Sequence, residues 1–375
     1  MKRFEKISPF IVMDILDRAR RMEDVVHLEV GEPDLDASPG VIDAFQKAIR
    51  DGKYKYTSAL GLMELREAIA GYYHSKYSLD ISPERIAITP GTSGAFLVVY
   101  AMLLEAGQRI ALSDPSYPCY RNFSYILNTE PVFIPVGKET EYCITPDLLD
   151  EYNDIVALQI SSPSNPVGNV YSGDRLEALV EKARAKGVSF ISDEIYHGLV
   201  YDDKERSALE FAADAIVING FSKYFCMPGL RIGWMILPEK LMRMAEMAMQ
   251  NVFIAANTPA QYAALAAFDE TYLKSVRDTF RDRRDRLYTR LKQLFDIPQR
   301  PEGAFYIWVD VNKYGMSGME FSERLLKEAK VAVTPGVDFG SNATDGFIRL
   351  AFTRPAEELD RGVDRIGEFL ACLQK

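Results

Sequence analysis

Residues 155–196 read IVALQISSPSNPVGNVYSGDRLEALVEKARAKGVSFISDEIY. Two short, mostly apolar runs, 155–161 and 188–193, flank a helical amphipathic pattern over 172–186. Gly187 stands where a helix C-cap is expected. Runs this apolar suit strands covered on both faces. Strand, helix, strand in this order predicts an α/β unit built on a parallel sheet.

The pattern extends in both directions. Further strand candidates are 85–89, 109–113, 132–136, 215–219 and 232–237, with helical stretches at 93–106 and 117–127. The chain's later part differs. A long helical stretch, 259–295, precedes apolar runs at 304–311, 331–334 and 347–352 and helices near 318–329 and 356–373. This predicts a large α/β domain over 39–260. A smaller α+β domain would comprise 261–375 with the N-terminal segment 1–38. The boundary near 260 is soft, because a helix can run across it.

Composition narrows the function. Of 375 residues, 47% are hydrophobic and 26% charged, as in ordinary globular proteins. The formal net charge is −10 and no basic run occurs, which speaks against a nucleic-acid partner. The longest apolar run, 95–104, is far below the ~20 residues of a membrane span. Asp14 interrupts the only apolar stretch near the N-terminus, so no leader peptide is expected there. Cys119, Cys143, Cys226 and Cys372 are scattered, without zinc spacing. They fit a reducing cytoplasm rather than a disulfide framework. No phosphate-loop or H-E-x-x-H motif occurs. Gly91-Thr92-Ser93-Gly94-Ala95 lacks the last glycine of a nucleophile elbow, and no histidine follows His197, against a serine hydrolase.

Candidate chemistry lies just beyond the strands, where open α/β sheets bind ligands. Asn165 follows one strand and Asp193 and Tyr196 another. Ser222 and Lys223 follow a third, with Arg231 shortly after. Singly, each has a plain structural reading: a turn at Asn165-Pro166, a cap at Asp193, a half-buried Tyr196, a solvated Lys223, a surface-paired Arg231. Together, in this order, they point to a common site. Thr92 and Ser93 open a helix, where free N–H groups favour an anion.

With Ser222-Lys223, Gly229-Leu230-Arg231-Ile232-Gly233, Ser-Asp-Glu-Ile-Tyr and Asn-Pro-Val-Gly in place, the sequence resembles the pyridoxal 5′-phosphate-dependent aminotransferases of fold type I, class I/II. The resemblance runs from Gly31-Glu32-Pro33-Asp34 to Phe347-Ile348-Arg349-Leu350. It implies a mostly parallel, mixed sheet flanked by helices, and a reaction between an L-amino acid and a 2-oxo acid by way of pyridoxamine phosphate. It places the cofactor on Lys223, which also moves the substrate proton. It gives Asp193 to the pyridine nitrogen, and Asn165 and Tyr196 to the phenolic oxygen. Arg231, Ser222 and one of Thr92 and Ser93 are expected at the phosphate, and Tyr117 on the ring. Tyr56, with Tyr54 as a rival, would reach the neighbouring site of a homodimer. Arg349 would grip the α-carboxylate, and Gly31 would let the backbone approach the substrate. Glu194 would point to the opposite side of its extended segment.

Tyr224 departs from the family pattern, which more often has a small or hydroxyl residue directly after the lysine. Substrate choice is left open. Tyr, Phe and Met residues near the entrance suggest an apolar or aromatic donor, with 2-oxoglutarate a plausible acceptor. A β C–S lyase on the same fold is the alternative. A DNA-binding regulator carrying this domain ranks third, because the resemblance starts within the first few tens of residues.

Overall fold

The computed structural model describes residues 4–7, 10–202 and 205–373. Residues 1–3 and 8–9 of the N-terminal stretch read above lie outside the described residues. The large sheet has seven strands: β1 Ile86–Thr89, β2 Arg109–Asp114, β3 Glu130–Pro135, β4 Ile155–Ser161, β5 Ser189–Asp193, β6 Ile216–Gly220 and β7 Gly233–Ile236. Their order is β1-β7-β6-β5-β4-β2-β3. Every neighbouring pair is parallel except those of β7, which runs antiparallel to β1 and β6. The expected mixed, mostly parallel sheet is present. Helix Gly173–Ala185 carries the chain from β4 to its parallel neighbour β5, and Gly187 follows at φ +67°. Glycine takes that left-handed conformation without steric cost, which stops the helix and turns the chain into β5.

A three-stranded antiparallel sheet orders Thr334–Pro335, Phe347–Ala351 and Tyr306–Asp310. The N-terminal Val26–His27 pairs in parallel with Val331–Ala332. No strand was expected at 26–27; two residues are too few for periodicity to show. The stretch 259–295 is not one helix. It splits into Thr258–Ala264 and Glu270–Leu291, with the Asp269 carboxylate accepting from the Thr271 and Tyr272 amides at 3.0 and 3.1 Å. An Asp cap satisfies amides that a helix start leaves open. The helix expected at 93 begins at Gly91, and that expected at 117 begins at Cys119.

Side-chain carboxylates tie distant segments together. Asp114, the last residue of β2, accepts from the Ser341 and Asn342 amides at 3.0 and 3.1 Å. The first amides of helix Ile11–Ala19 donate to the Asp338 carboxyl, Ile11 at 3.2 Å and Val12 at 3.3 Å. No described helix is long and apolar enough to cross a membrane. Among the described residues no group of three or more His, Cys, Asp and Glu could hold a metal.

Candidate active site

Asp193 at the end of β5 and the segments that follow β4, β5 and β6 line a cavity of about 210 Å³. Asp193 ends β5 and is buried. Its carboxylate accepts from the Tyr120 phenol and, at 3.0 Å, from the Ile195 amide. Burial pushes its pKa up to about 6, while these two donors and Lys223 pull the other way. Glu194 faces away, as strand alternation requires. It accepts from the Ser207 hydroxyl and the Ala208 amide, both at 3.0 Å, and burial pushes its pKa up to about 8.

Lys223 lies three residues past the end of β6. Its Nζ donates to the Gly31 carbonyl at 2.7 Å and sits 5.7 Å from the Phe305 ring centroid. Burial lowers its pKa to about 8; Glu32 and Asp193 oppose the shift, while Arg349 and Arg231 add to it. An amine so placed is neutral in useful amounts near neutral pH, as nucleophilic and proton-transfer chemistry needs.

Arg349 belongs to the central strand of the small sheet and is buried. Its Nη1 donates to Asn165 Oδ1 at 2.9 Å, and its Nη2 to the Glu29 carbonyl at 2.5 Å and Thr334 Oγ1 at 3.3 Å. The guanidinium lies 4.3 Å from the Tyr306 ring centroid and 4.7 Å from that of Phe339. Its buried Nε has no hydrogen-bond partner. A buried cation held by neutral groups, with a donor unused, is poised for an incoming anion. The Tyr196 and Tyr306 hydroxyls are 2.8 Å apart. Gly31 meets this cluster closely, and a Cβ there would strike the Tyr306 hydroxyl.

A second group of donors lies at the start of helix Gly91–Leu103. A Cβ on Gly91 would fall 2.6 Å from Arg231 Nη2. One on Gly233 would fall 2.8 Å from the Thr92 nitrogen, so both glycines are needed for this close approach. Arg231 is held at φ +55°, and its Nη1 donates to the Pro228 carbonyl at 2.9 Å. The first-turn amides, which have no partner within the helix, and the guanidinium thus converge on one spot.

The cavity is lined by Gly31, Thr92, Tyr117, Asn165, Asp193, Tyr196, Lys223 and Arg349 among the expected residues. Ser222, buried, and Arg231 lie beside it rather than in its wall. Of the two helix-opening hydroxyls, Thr92 lines the cavity and Ser93 is exposed outside it. Tyr56 is 80% exposed and Tyr54 61%, both away from this cavity. The N-terminal segment closes the mouth with Phe10, Val12 and Met13. The Phe10 ring stacks on Tyr117 at 6.1 Å between centroids. Sequence reasoning missed Tyr120, Tyr306, Thr334 and the Glu29 carbonyl. No motif marks them, because each acts through a fold contact. Tyr224 packs into the space left by the absent Cβ of Gly198, away from the cavity.

These residues fit pyridoxal 5′-phosphate by the chemistry of the donor set. A depressed amine meets an aldehyde, a buried carboxylate a basic ring nitrogen, and the Gly91–Arg231 cradle a phosphate.

Comparison with known proteins agrees. Residues 23–366 match the family described as aminotransferase class I and II. A (5-formylfuran-3-yl)methyl phosphate transaminase of Methanocaldococcus jannaschii is 38% identical, covering 98% of this chain and 99% of its own. A valine–pyruvate aminotransferase of Mycobacterium tuberculosis is 34% identical, covering 97% of each. The crystal structure of an aminotransferase from Mycobacterium tuberculosis superposes with a TM-score of 0.94 at 33% identity, over 98% of each chain.

Proposed function

The chain belongs to the class I and II aminotransferases, fold-type I enzymes that depend on pyridoxal 5′-phosphate, and from that premise we propose how its own residues divide the work of transamination. Bound pyridoxal 5′-phosphate supplies an aldehyde that takes up the amino group and a ring that accepts the electron pair left at Cα. Lys223 holds the cofactor covalently and, once displaced, carries the proton to and from Cα. Its depressed pKa suits both roles. Asp193 keeps a proton on the ring nitrogen. Asn165 and Tyr196 hold the phenolic oxygen, and Tyr117 covers the ring. Arg231, Ser222 and Thr92 take the phosphate, Thr92 being preferred to Ser93 because it lines the cavity. Arg349 grips the α-carboxylate, with Gly31 and Asn165 beside it.

The observation that carries this reading is that one cavity is lined both by Lys223, a buried amine, and by buried Arg349, whose Nε has no hydrogen-bond partner. The two face the two constant parts of an amino acid, its α-amino group and its carboxylate. We also place the large domain at 39–260 and the small one at 1–38 and 261–375. The enzyme works as a homodimer: exposed Tyr56 follows Lys55, whose carbonyl accepts from Thr258 Oγ1 at 2.7 Å. Free thiols at all four cysteines suit a cytoplasmic location.

Borohydride reduction of the holoenzyme followed by peptide mapping should put the label on Lys223, and a panel of amino acids should convert the bound cofactor to its amine form. A label elsewhere, or no conversion by any donor, defeats the proposal. The lyase alternative is disfavoured by full-length relatives that are transaminases. It would return if cystathionine gave pyruvate and ammonia without an added oxo acid.

A further inference from the structure

We infer that Tyr306 is a positioning residue that joins the two ends of the site: its ring seats Arg349 at the α-carboxylate position, and its hydroxyl orients Tyr196 toward the cofactor, so that an acid bound at Arg349 is felt at the phenolic oxygen. The inference rests on the roles given above to Arg349 and Tyr196 and adds a residue that no motif marks.

Tyr306 opens the strand Tyr306–Asp310, which pairs antiparallel with Phe347–Ala351. Its direct partner is Ala351, two residues beyond Arg349, so Tyr306 and Arg349 are diagonal neighbours on one face of the small sheet. The side chain is buried and lines the cavity. The Arg349 guanidinium, 4.3 Å from its ring centroid, is within range of a cation–π contact that gains strength away from water. At the far end of the ring, the hydroxyl is 2.8 Å from that of Tyr196, its one hydrogen-bond partner among the described residues. The Tyr196 and Tyr306 rings meet edge to face at 83°.

Proton counting gives the pair a direction. A phenol has one proton to donate. With the Tyr196 proton spent on the cofactor's phenolic oxygen, the contact between the two hydroxyls is made by the Tyr306 proton. Charge favours the same order. Burial raises both pKa values; the contact raises Tyr196 further and lowers Tyr306, while Arg349 lowers both. Tyr306 is thus the more acidic phenol and the natural donor. A hydroxyl that accepts a hydrogen bond donates its own more strongly. A carboxylate bound at Arg349 cancels part of the charge over the Tyr306 ring, weakens Tyr306 as a donor and so weakens Tyr196 at the phenolic oxygen. Arg349 also reaches Asn165 Oδ1 at 2.9 Å, a second and parallel route.

The test uses the holoenzyme and reads the pH at which the bound cofactor's visible absorbance titrates. Tyr306→Phe keeps the ring and removes the hydroxyl. A weaker donor at the phenolic oxygen leaves more negative charge beside the Lys223 nitrogen, so this midpoint should rise by about half a pH unit. Arg349, Asp193, Glu32 and Arg231, the charged groups that act on Lys223, all stay. Tyr196→Phe should raise the midpoint further. Adding Tyr306→Phe to that variant should change nothing more, because the second hydroxyl acts through the first. Propionate, 3-phenylpropionate and succinate are titrated by calorimetry, and the tightest binder becomes the probe. Bound probe should raise the midpoint in wild type, and by a few tenths of a pH unit less in Tyr306→Phe, where the Asn165 route remains. Tyr306→Leu, which loses the ring as well, should bind the probe about tenfold more weakly than Tyr306→Phe. A Tyr306→Phe midpoint or probe-induced shift equal to that of wild type, or additive effects in the double variant, overturns the link. Equal probe affinity in Tyr306→Phe and Tyr306→Leu overturns the seating of Arg349. Failure of every probe to bind the wild type instead overturns Arg349 as the carboxylate group, and with it the reading on which the inference stands.

Discussion

The Tyr120 phenol donates its hydrogen bond to the Asp193 carboxylate across 73 positions of sequence. Helix Cys119–Ile126 thereby braces the acid that ends β5. Asp193 is already raised to about 6 by burial, and the phenol is one of the groups holding it down. Tyr120→Phe removes a donor that favours the ionised form, so the Asp193 pKa rises further and its protonated fraction at neutral pH grows. A hydrogen bond to a charged group contributes about 2 kcal/mol, or about 30-fold in rate if it is lost wholly from the transition state. The expected result is a kcat lower by ~10–30-fold with KM for the amino acid little changed, and an acid limb displaced to higher pH. A pH profile of kcat for the variant checks this.

Lys223 gives a prediction with the opposite sign. Its pKa is lowered to about 8 from the ordinary lysine value, first by burial. The neutral amine is the nucleophile, so its fraction grows as pH rises and saturates above the folded pKa. The rate at which apo-protein captures pyridoxal 5′-phosphate covalently should rise about tenfold per pH unit below roughly 8 and flatten beyond it. Stopped-flow absorbance at constant ionic strength measures it. A climb that continues to pH 10 would place the amine in an ordinary solvated setting.

Gly31 is a steric requirement. A Cβ at this position would lie 2.6 and 2.7 Å from two ring carbons of Tyr306, besides striking its hydroxyl. Tyr306 cannot yield cheaply, because its hydroxyl meets Tyr196 at 2.8 Å and its ring stacks under Arg349. Gly31→Ala should therefore displace the carboxylate-binding cluster. A shift of about 1 Å near the reacting atoms costs up to ~10²-fold. We expect kcat/KM to fall by about that factor, while overpacking destabilises the fold by only about 1–3 kcal/mol. Steady-state kinetics alongside thermal denaturation separates the two effects.

Glu194 affects stability rather than the reaction. Burial raises its pKa to about 8, well above that of an unfolded glutamate. Between those two values the folded chain binds more protons than the unfolded one. Its contribution is fully present below the unfolded pKa and is lost as pH rises through about 8. Glu194→Gln keeps an acceptor for Ser207 and Ala208 but cannot ionise. The variant's Tm relative to wild type should thus improve from pH 5 to about pH 8 and level off above it. A Tm difference that stays flat across that range contradicts a buried, protonated Glu194.

Much of this was legible in the sequence, and the reason is local. The residues that end β4, β5 and β6 follow apolar runs directly, so Asn165, Asp193 and Lys223 could be placed at one rim from pattern alone. The resemblance then supplied Arg349, which no strand-end argument reaches. Tyr120 and Tyr306 were illegible because their partners come from other elements, and a tyrosine in a helix or strand reads first as core. The break after Ala264 was overlooked although Asp269-Glu270 is a usable cap signal; the apolar pattern on both sides masked it. Ser93 and Thr92 could not be separated, since a helix that begins at Gly91 rather than 93 changes which hydroxyl turns inward.

Tyr56 permits a test of shared sites. It is 80% exposed and does not line the cavity of its own chain. In a homodimer whose sites each take Lys223 from one chain and Tyr56 from the other, Tyr56→Ala and Lys223→Ala lie in different halves of each site. Each variant alone should be severely impaired. Unfolding and refolding the two in equal amounts should form mixed dimers that contain one intact site and one doubly damaged site. Random pairing of equal amounts restores about one quarter of the wild-type site count. Recovered activity near that fraction, absent when the variants are mixed without subunit exchange, establishes the shared site. Recovery of none, with mixed dimers demonstrated by mass spectrometry, means that Tyr56 does not serve the neighbouring cavity.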